Sequence, residues 1–284
     1  MIQSNAISTS FLGVLDLSPV IVGAAVAILS CIVISGNARF VSGFCEKTVP
    51  LMTLGYIALS VAVLTARWDS VPDAFGLIFA DAFSARSAAG GVLGFLVSRQ
   101  LSAGTMRGLM SNEAGCGTAP TAHAAANTDS PARQGFWGIF EVFVDTILLC
   151  TLTALVIIVA GEGIVTQFSA DPMMMAIKAY SSVLGAWSEY YMRASVLLFA
   201  FATIVCWAHY GKESLRALTK KRALVTAFVV LYALFVFVGA VSAPSSAWLF
   251  ADLALGIMTM INLPVLCLMS GEVKRETDKF FKRK

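Results

Sequence analysis

The sequence predicts an all-α integral membrane protein of about seven transmembrane helices, one of them broken. Three observations carry this reading. Hydrophobic residues make up 58% of the 284 residues and charged residues only 13%, where roughly 25% charged is usual for a soluble domain. The mean hydropathy is +0.80, and several apolar runs approach the ~20 residues a helix needs to cross a bilayer. Finally, one polar, glycine-rich stretch with an acid in it, Ser111-Asn112-Glu113-Ala114-Gly115-Cys116-Gly117-Thr118-Ala119-Pro120, stands between apolar helices.

Taken in order, residues 1–16 are short and mixed, with Gln3, Ser4, Asn5, Ser8 and Thr9. They read as the end of a truncated helix and a loop. Apolar runs follow at about 17–36, 47–66, 90–109, 135–160, 192–209, 222–242 and 247–269, which gives a transmembrane bundle over 17–269. Two weaker segments lie between them. Asp73 to Phe83 is short and amphipathic and is expected to be an interfacial helix. Asp171 to Gly185 is too polar and short to span, and reads as a surface helix or a re-entrant gate. Residues 270–284 form a basic tail.

Lysine and arginine set the expected orientation. Lys212, Arg216, Lys220, Lys221 and Arg222 crowd one loop, and Lys274, Arg275, Lys279, Lys282, Arg283 and Lys284 crowd the tail. Both belong in the cytoplasm. The uncharged connection Ser242 to Ser246 and the acidic stretch Gly161 to Tyr191 belong outside. Counting back, 107–133 and 37–47 lie inside. Charge and span count agree on seven crossings.

Composition also excludes. The net charge of +3 sits in loops and suggests no nucleic-acid partner. The six cysteines are scattered without CxxC spacing, so neither a zinc site nor a disulfide framework is expected. A zinc centre built on His123 and His209 has no supporting cluster, and Met173-Met174-Met175 reads as packing or gate surface. No cleavable signal is expected, since no basic region precedes the first apolar run. A membrane-embedded enzyme using Glu113, Asp145 or His123 ranks low, because no nucleophile–base or metal spacing accompanies them.

The polar stretch has a physical logic. Unpaired backbone groups cost several kcal/mol in hydrocarbon, so irregular backbone survives there only when protein or a water-filled cavity surrounds it. Gly115 and Gly117 let the chain leave helical geometry, and Pro120 restarts a helix without needing its own N–H. Interrupted helices are the best sequence pointer to a transporter binding site. A cytoplasmic loop with a glycine turn is an equal reading on composition alone.

The segment Arg107 to Pro120, continued by Ala122-His123-Ala124-Ala125-Ala126, resembles the signature of the alanine or glycine:cation symporter family. Val144-Asp145-Thr146, Cys150 to Leu155, Gln3-Ser4-Asn5, Ser35 to Arg39, Val49-Pro50-Leu51-Met52 and Thr203 to Trp207 match further in the same order. The resemblance runs over nearly the whole chain and favours the binding-site reading of the break. It implies sodium-coupled symport of a small neutral amino acid, alanine or glycine, across the cytoplasmic membrane. No cofactor is implied beyond the co-transported sodium ion. The implied protein is multi-pass, with a cytoplasmic C-terminus and a leucine-transporter-type fold of two inverted five-helix repeats.

On that alignment the seven spans are core helices four to ten, the sixth is the broken one, and Thr203 to Trp207 lies in the eighth. The first two helices and most of the third are absent, so the chain is expected to be an N-terminally truncated fragment, or the product of a split or decayed gene. A separate chain supplying those helices, or a non-transporting remnant, are the corresponding alternatives. Met110 stands for a usual Phe, Cys116 for a usual Met or Leu, and Cys206 for a usual Ser. A Pro-Asn pair expected in the last span appears as Asn262-Leu263-Pro264.

The resemblance implies substrate contacts from Gln3, Asn5, Met110, Ser111, Asn112, Gly115, Gly117 and Trp207. The half-helix N-terminus would hold a carboxylate, and unwound carbonyls an ammonium. Thr203, one turn from Trp207 on the same face, offers a hard oxygen to sodium. Trp207 also reads as an interfacial belt residue, and Gln3 and Asn5 as an ordinary polar N-terminus. Glu113 either binds a cation or locks the break by accepting backbone N–H bonds. Asp145 sits inside a span, four residues after Glu141; if both acids were dry, one would resist ionisation, and the simpler reading puts Glu141 near the cytoplasmic interface, hydrated. Asp252 reads as a polar packing anchor.

Overall fold

The computed structural model describes residues 1–11, 17–36, 38–83, 92–113 and 115–282. The loop expected after the first helix, Asn37, the first two residues of the 90–109 run, Ala114 and the last two residues of the tail lie outside the described residues. Among the described residues the chain is helical, with no strand. Its elements are α1 (Ile2–Phe11), α2 (Pro19–Ser35), α3 (Ala38–Ala66), α4 (Val71–Phe83), α5 (Val92–Asn112), α6 (Ala119–His123), α7 (Pro131–Val142), a π-helical turn (Phe143–Leu149), α8 (Cys150–Ala160), α9 (Glu162–Gln167), α10 (Pro172–Leu184), α11 (Ala186–Leu218), α12 (Arg222–Val241) and α13 (Pro244–Lys282).

Among the described residues, five helical stretches are long and apolar enough to cross a membrane: Cys45–Ala66, Pro131–Ala160, Ala186–Leu218, Arg222–Val241 and Pro244–Lys282. The sixth expected span is the shorter apolar helix Pro19–Ser35. The seventh, 90–109, is helical as α5, but it carries Arg107 and ends at a break. The tail differs from expectation in form, because α13 runs unbroken from the last apolar run to Lys282. Together these elements make a multi-pass membrane protein.

The chain divides into two compact units. The first comprises Met1–Ala74 and Leu152–Ala251; the second comprises Phe75–Thr151 and Asp252–Lys284.

In the first unit α1 packs on α11 and α12, and α2 lies along α12. α1 is polar for a buried helix: Ser4, Asn5, Ser8 and Ser10 are all nearly sealed from solvent. Ser4 Oγ donates to Met1 O at 2.8 Å and Ser10 Oγ to Ile7 O at 2.8 Å, so small hydroxyls are satisfied by their own helix and leave a slim face for packing. That face needs glycine opposite: a Cβ on Gly239 would stand 2.5 Å from Ser4 Oγ and 2.4 Å from Met1 Cα. Ile7, Val26, Ala27, Ala200, Ile204 and Val236 close this layer. At the foot of α2, Lys212 Nζ donates to Ile34 O at 2.7 Å, a cationic cap on a helix C-terminus.

A second layer joins α3, α8, α10 and α11 around Leu59, Val63, Val156, Ile177, Tyr180 and Met192. α10, expected on the surface or in a gate, is sealed here along Ile177, Ala179 and Tyr180. Its polar atoms are paired. Ser60 Oγ donates to Tyr56 O at 2.8 Å, which leaves its oxygen to accept the Tyr180 hydroxyl at 2.7 Å. Burial pushes the Tyr180 phenol well up from its ordinary value, so it stays a neutral donor. Asp171 caps α10, accepting from Met173 N and Met174 N, both at 3.1 Å.

Outward-facing side chains are large and apolar, such as Ile28 and Ile32 on α2, Val230 and Leu234 on α12, and Leu253, Ile257 and Ile261 on α13. Faces of this kind suit hydrocarbon surroundings.

Candidate functional site

The site grows from the place where α5 stops. After Asn112 the chain turns at Glu113, whose φ of 53° is left-handed for a residue with a side chain, a conformation costing about 1–3 kcal/mol unless its surroundings hold it. Gly117 is left-handed too, with φ of 85°, and α6 begins at Ala119 with Pro120 in its first turn. The sequence expectation of non-helical backbone within 111–117 is met. The helix beyond the break is only five residues long, and after further turns α7 begins at Pro131.

Three contacts hold the break. Glu113 accepts from Thr118 Oγ1 at 3.0 Å through Oε2, and its backbone carbonyl accepts from Cys116 Sγ at 3.2 Å. The carboxylate thus takes a hydroxyl and the backbone carbonyl a thiol, where backbone N–H donors were expected for a lock. Asn262 of α13 donates through Nδ2 to Gly115 O at 3.0 Å, so an unwound carbonyl is satisfied by a polar side chain from the apolar run of another helix. Ser111 Oγ, in the last turn of α5, donates to Asp145 Oδ2 at 2.6 Å and accepts from Thr146 Oγ1 at 3.0 Å. Cys116 and Thr118 are buried, while Met110, Ser111, Asn112 and Glu113 are half-buried.

Asp145 reaches Ser111 from the π-helical turn Phe143–Leu149, in which Cys150 N–H bonds to Asp145 O. Such turns re-aim side chains and recur at functional sites. Here adjacent residues, Asp145 and Thr146, both address one hydroxyl. Of the two readings of Glu141, dry beside Asp145 or hydrated, its exposure fits the second, and the two acids have separate partners. The Glu141 side chain is 67% exposed and meets His123 Nε2 at 3.4 Å. Gln134 Nε2 donates to His123 Nδ1 at 2.9 Å, which puts the imidazole proton on Nε2, facing Glu141.

One contact ties α5 to α13. Arg107 grips Asp252 through Nη1 to Oδ1 at 2.6 Å and Nη2 to Oδ2 at 3.1 Å. Asp252 is the packing anchor it was read to be. But the sequence placed Arg107 at a cytoplasmic loop and the start of α13 outside. Asp252 lies eight residues into α13, about 12 Å from its start at 1.5 Å per residue. Arg107 is thus level with the first third of α13, and Gly115 with Asn262, well inside its apolar run.

The remaining candidates lie in the other unit. Thr203 Oγ1 donates to Phe199 O at 2.9 Å, so its proton is used within α11 and its oxygen lone pairs stay available. Trp207, one turn on, is half-buried. Asn5 donates through Nδ2 to Gly239 O at 3.1 Å and Ser242 O at 2.7 Å, which commits its amide nitrogen to the end of α12. Gln3 is half-buried on α1.

Sequence reasoning missed Asn262, Thr146 and Arg107 as members of the site. The signal was present for the first: an amide two residues before Pro264 in an otherwise apolar run.

The chain is 34% identical over 282 residues to the uncharacterized transporter YflA of Bacillus subtilis (strain 168), covering 99% of this chain and 59% of that protein. It is 31% identical over 284 residues to the sodium/alanine symporter AgcS of Methanococcus maripaludis, covering 99% and 61%. It is 30% identical over 283 residues to the sodium/proton-dependent alanine carrier protein of Bacillus sp. (strain PS3), covering 94% and 63%. The chain thus spans about 60% of the length of these relatives. The profile of the sodium:alanine symporter family matches residues 1–284 in full, and the chain belongs to that family.

Proposed function

We propose that the protein carrying this sequence couples sodium influx to uptake of a small neutral amino acid, alanine or glycine. The observation that carries the proposal is the break that follows α5: left-handed backbone at Glu113 and Gly117, held by Asp145 and Asn262. Helix ends that open onto a membrane-buried break present N–H groups to a carboxylate and carbonyls to an ammonium or cation. The names of two relatives, a sodium/alanine symporter and an alanine carrier, favour alanine.

Under this reading Met110, Ser111, Asn112, Gly115 and Gly117 contact substrate, and the resemblance adds Trp207, Gln3 and Asn5. Thr203 offers an oxygen ligand to sodium. Seven crossings, counting the broken one, follow the leucine-transporter-type arrangement, with the basic end of α13 in the cytoplasm.

The test is uptake of labelled alanine and glycine into proteoliposomes under an inward sodium gradient. The expected result is accumulation that disappears when potassium replaces sodium. Uptake indifferent to sodium, or preference for leucine or phenylalanine over alanine and glycine, would overturn the proposal.

A further inference from the structure

Cys45 on α3 and Cys206 on α11 are 161 residues apart in sequence, yet their sulfurs stand 3.7 Å from each other. Neither belongs to the break. The other cysteines have different surroundings: Cys31 packs against the Ile34, Ala208 and Val229 cluster, Cys116 is tied to Glu113 O, Cys150 lies beside Ser111, and Cys267 is exposed on α13.

We propose that Cys45 and Cys206 form a dithiol modification site that closes reversibly to a disulfide, pinning α3 to the turn of α11 that carries Thr203 and Trp207. At 3.7 Å the thiols are in hydrogen-bonding contact, and a disulfide needs the sulfurs to approach to about 2.05 Å. Closure therefore needs the sulfurs to move a further ~1.7 Å. Both thiols are half-buried rather than sealed. Cys206 lies three residues after Thr203 and one before Trp207, so a covalent bond at this point restrains the turn proposed to bind sodium and substrate. This consequence rests on the proposed function; the chemistry of the pair does not.

The step balances with a small-molecule disulfide as oxidant. One cysteine thiolate attacks the added disulfide, breaking its S–S bond and releasing one half as a thiol. The second cysteine thiolate then attacks the mixed disulfide, forming the Cys45–Cys206 bond and releasing the other half as a thiol. The protein loses two electrons and the added disulfide gains them. A dithiol reductant reverses both exchanges.

The experiment treats the purified protein in lipid nanodiscs with oxidised glutathione, digests it under non-reducing conditions and identifies linked peptides by mass spectrometry. The expected result is a Cys45–Cys206 linked peptide that disappears with dithiothreitol and does not form in Cys45→Ser. Glutathione on Cys45 or Cys206 without linkage, or no change at either thiol, overturns the site. In proteoliposomes, oxidation is expected to reduce sodium-driven alanine uptake at least tenfold, reversibly, while the Cys45→Ser protein keeps its rate. A linked peptide with unchanged uptake overturns the pinning. Because the peptide readout needs no transport, a protein that links but carries no amino acid in either state refutes the proposed function and not the dithiol.

Discussion

Ser111 donates to Asp145 at 2.6 Å, joining the last turn of α5 to a π-helical turn 34 residues later. This hydrogen bond ties a helix that ends to one that runs on, and fixes where the unwound segment begins. A hydrogen bond to a charged group contributes about 1.5–3 kcal/mol, and a carboxylate left without its donor costs more than one replaced together with it.

Ser111→Ala is therefore expected to destabilise the protein by about 1–3 kcal/mol and to lower sodium-driven alanine uptake by roughly tenfold or more, since 1.4 kcal/mol is a factor of ten. Asp145→Asn keeps an acceptor for Ser111 and is expected to unfold later than Ser111→Ala while transporting poorly. Thermal unfolding in detergent and initial uptake rates per mole of protein give both quantities. Wild-type rates in Ser111→Ala would remove the contact from the mechanism.

Gly117→Ala faces two obstacles. Its φ of 85° disfavours any side chain, and the new Cβ would stand 2.9 Å from Asn262 Oδ1. The left-handed strain alone is about 1–3 kcal/mol. Adding Asn262→Ala removes the clash but not the strain, and leaves Gly115 O without its donor, so the double variant should not regain wild-type stability. A midpoint equal to wild type in either variant would mean that the turn is not as described.

The crossings were legible because apolar composition and length suffice to mark a span, and the break because Gly115, Gly117 and Pro120 leave local signatures in an apolar setting. Less legible was everything set by tertiary pairing. The sequence gives no sign that Asn5 addresses α12, or that Glu141 turns to His123 while Asp145 turns to Ser111. Spacing of four predicts a shared face on a regular α-helix, and the π-helical turn that begins at Phe143 changes the winding through Asp145. Arg107, counted with a loop, lies in the last turns of α5. Charge counting treats arginine as a marker of the water boundary, and a bidentate partner such as Asp252 lets it lie deeper.

Thr203 offers a sharper view of the ion. Its proton goes to Phe199 O, so a sodium ligand there would be the outward lone pair. Thr203→Ser keeps that oxygen and is expected to change the half-saturating sodium concentration by less than about threefold. Thr203→Val keeps the shape without the oxygen and is expected to raise it by roughly tenfold, the equivalent of 1.4 kcal/mol. Sodium titrations of alanine uptake separate the two. Equal sodium dependence in all three proteins would place the ion elsewhere.

Arg107 and Asp252 test where the crossing lies. At a water-exposed surface such a pair is worth about 0–1 kcal/mol. Within the apolar thickness each charge alone is expensive and is tolerated because it is paired. The structure places the pair about 12 Å along α13, beside side chains such as Leu249 and Leu253 that face outward. A double-mutant cycle with Arg107→Gln and Asp252→Asn, read by thermal unfolding in lipid nanodiscs, is expected to give a coupling above 1 kcal/mol, within the range of about 0.5–3 kcal/mol found for contacting residues. Each single variant strands one charge; the double variant strands none and should be more stable than the worse single. The reversed pair, Arg107→Asp with Asp252→Arg, should recover part of the loss. Additive effects, with no recovery on reversal, would put the pair in water and return Arg107 to the membrane boundary where charge counting placed it.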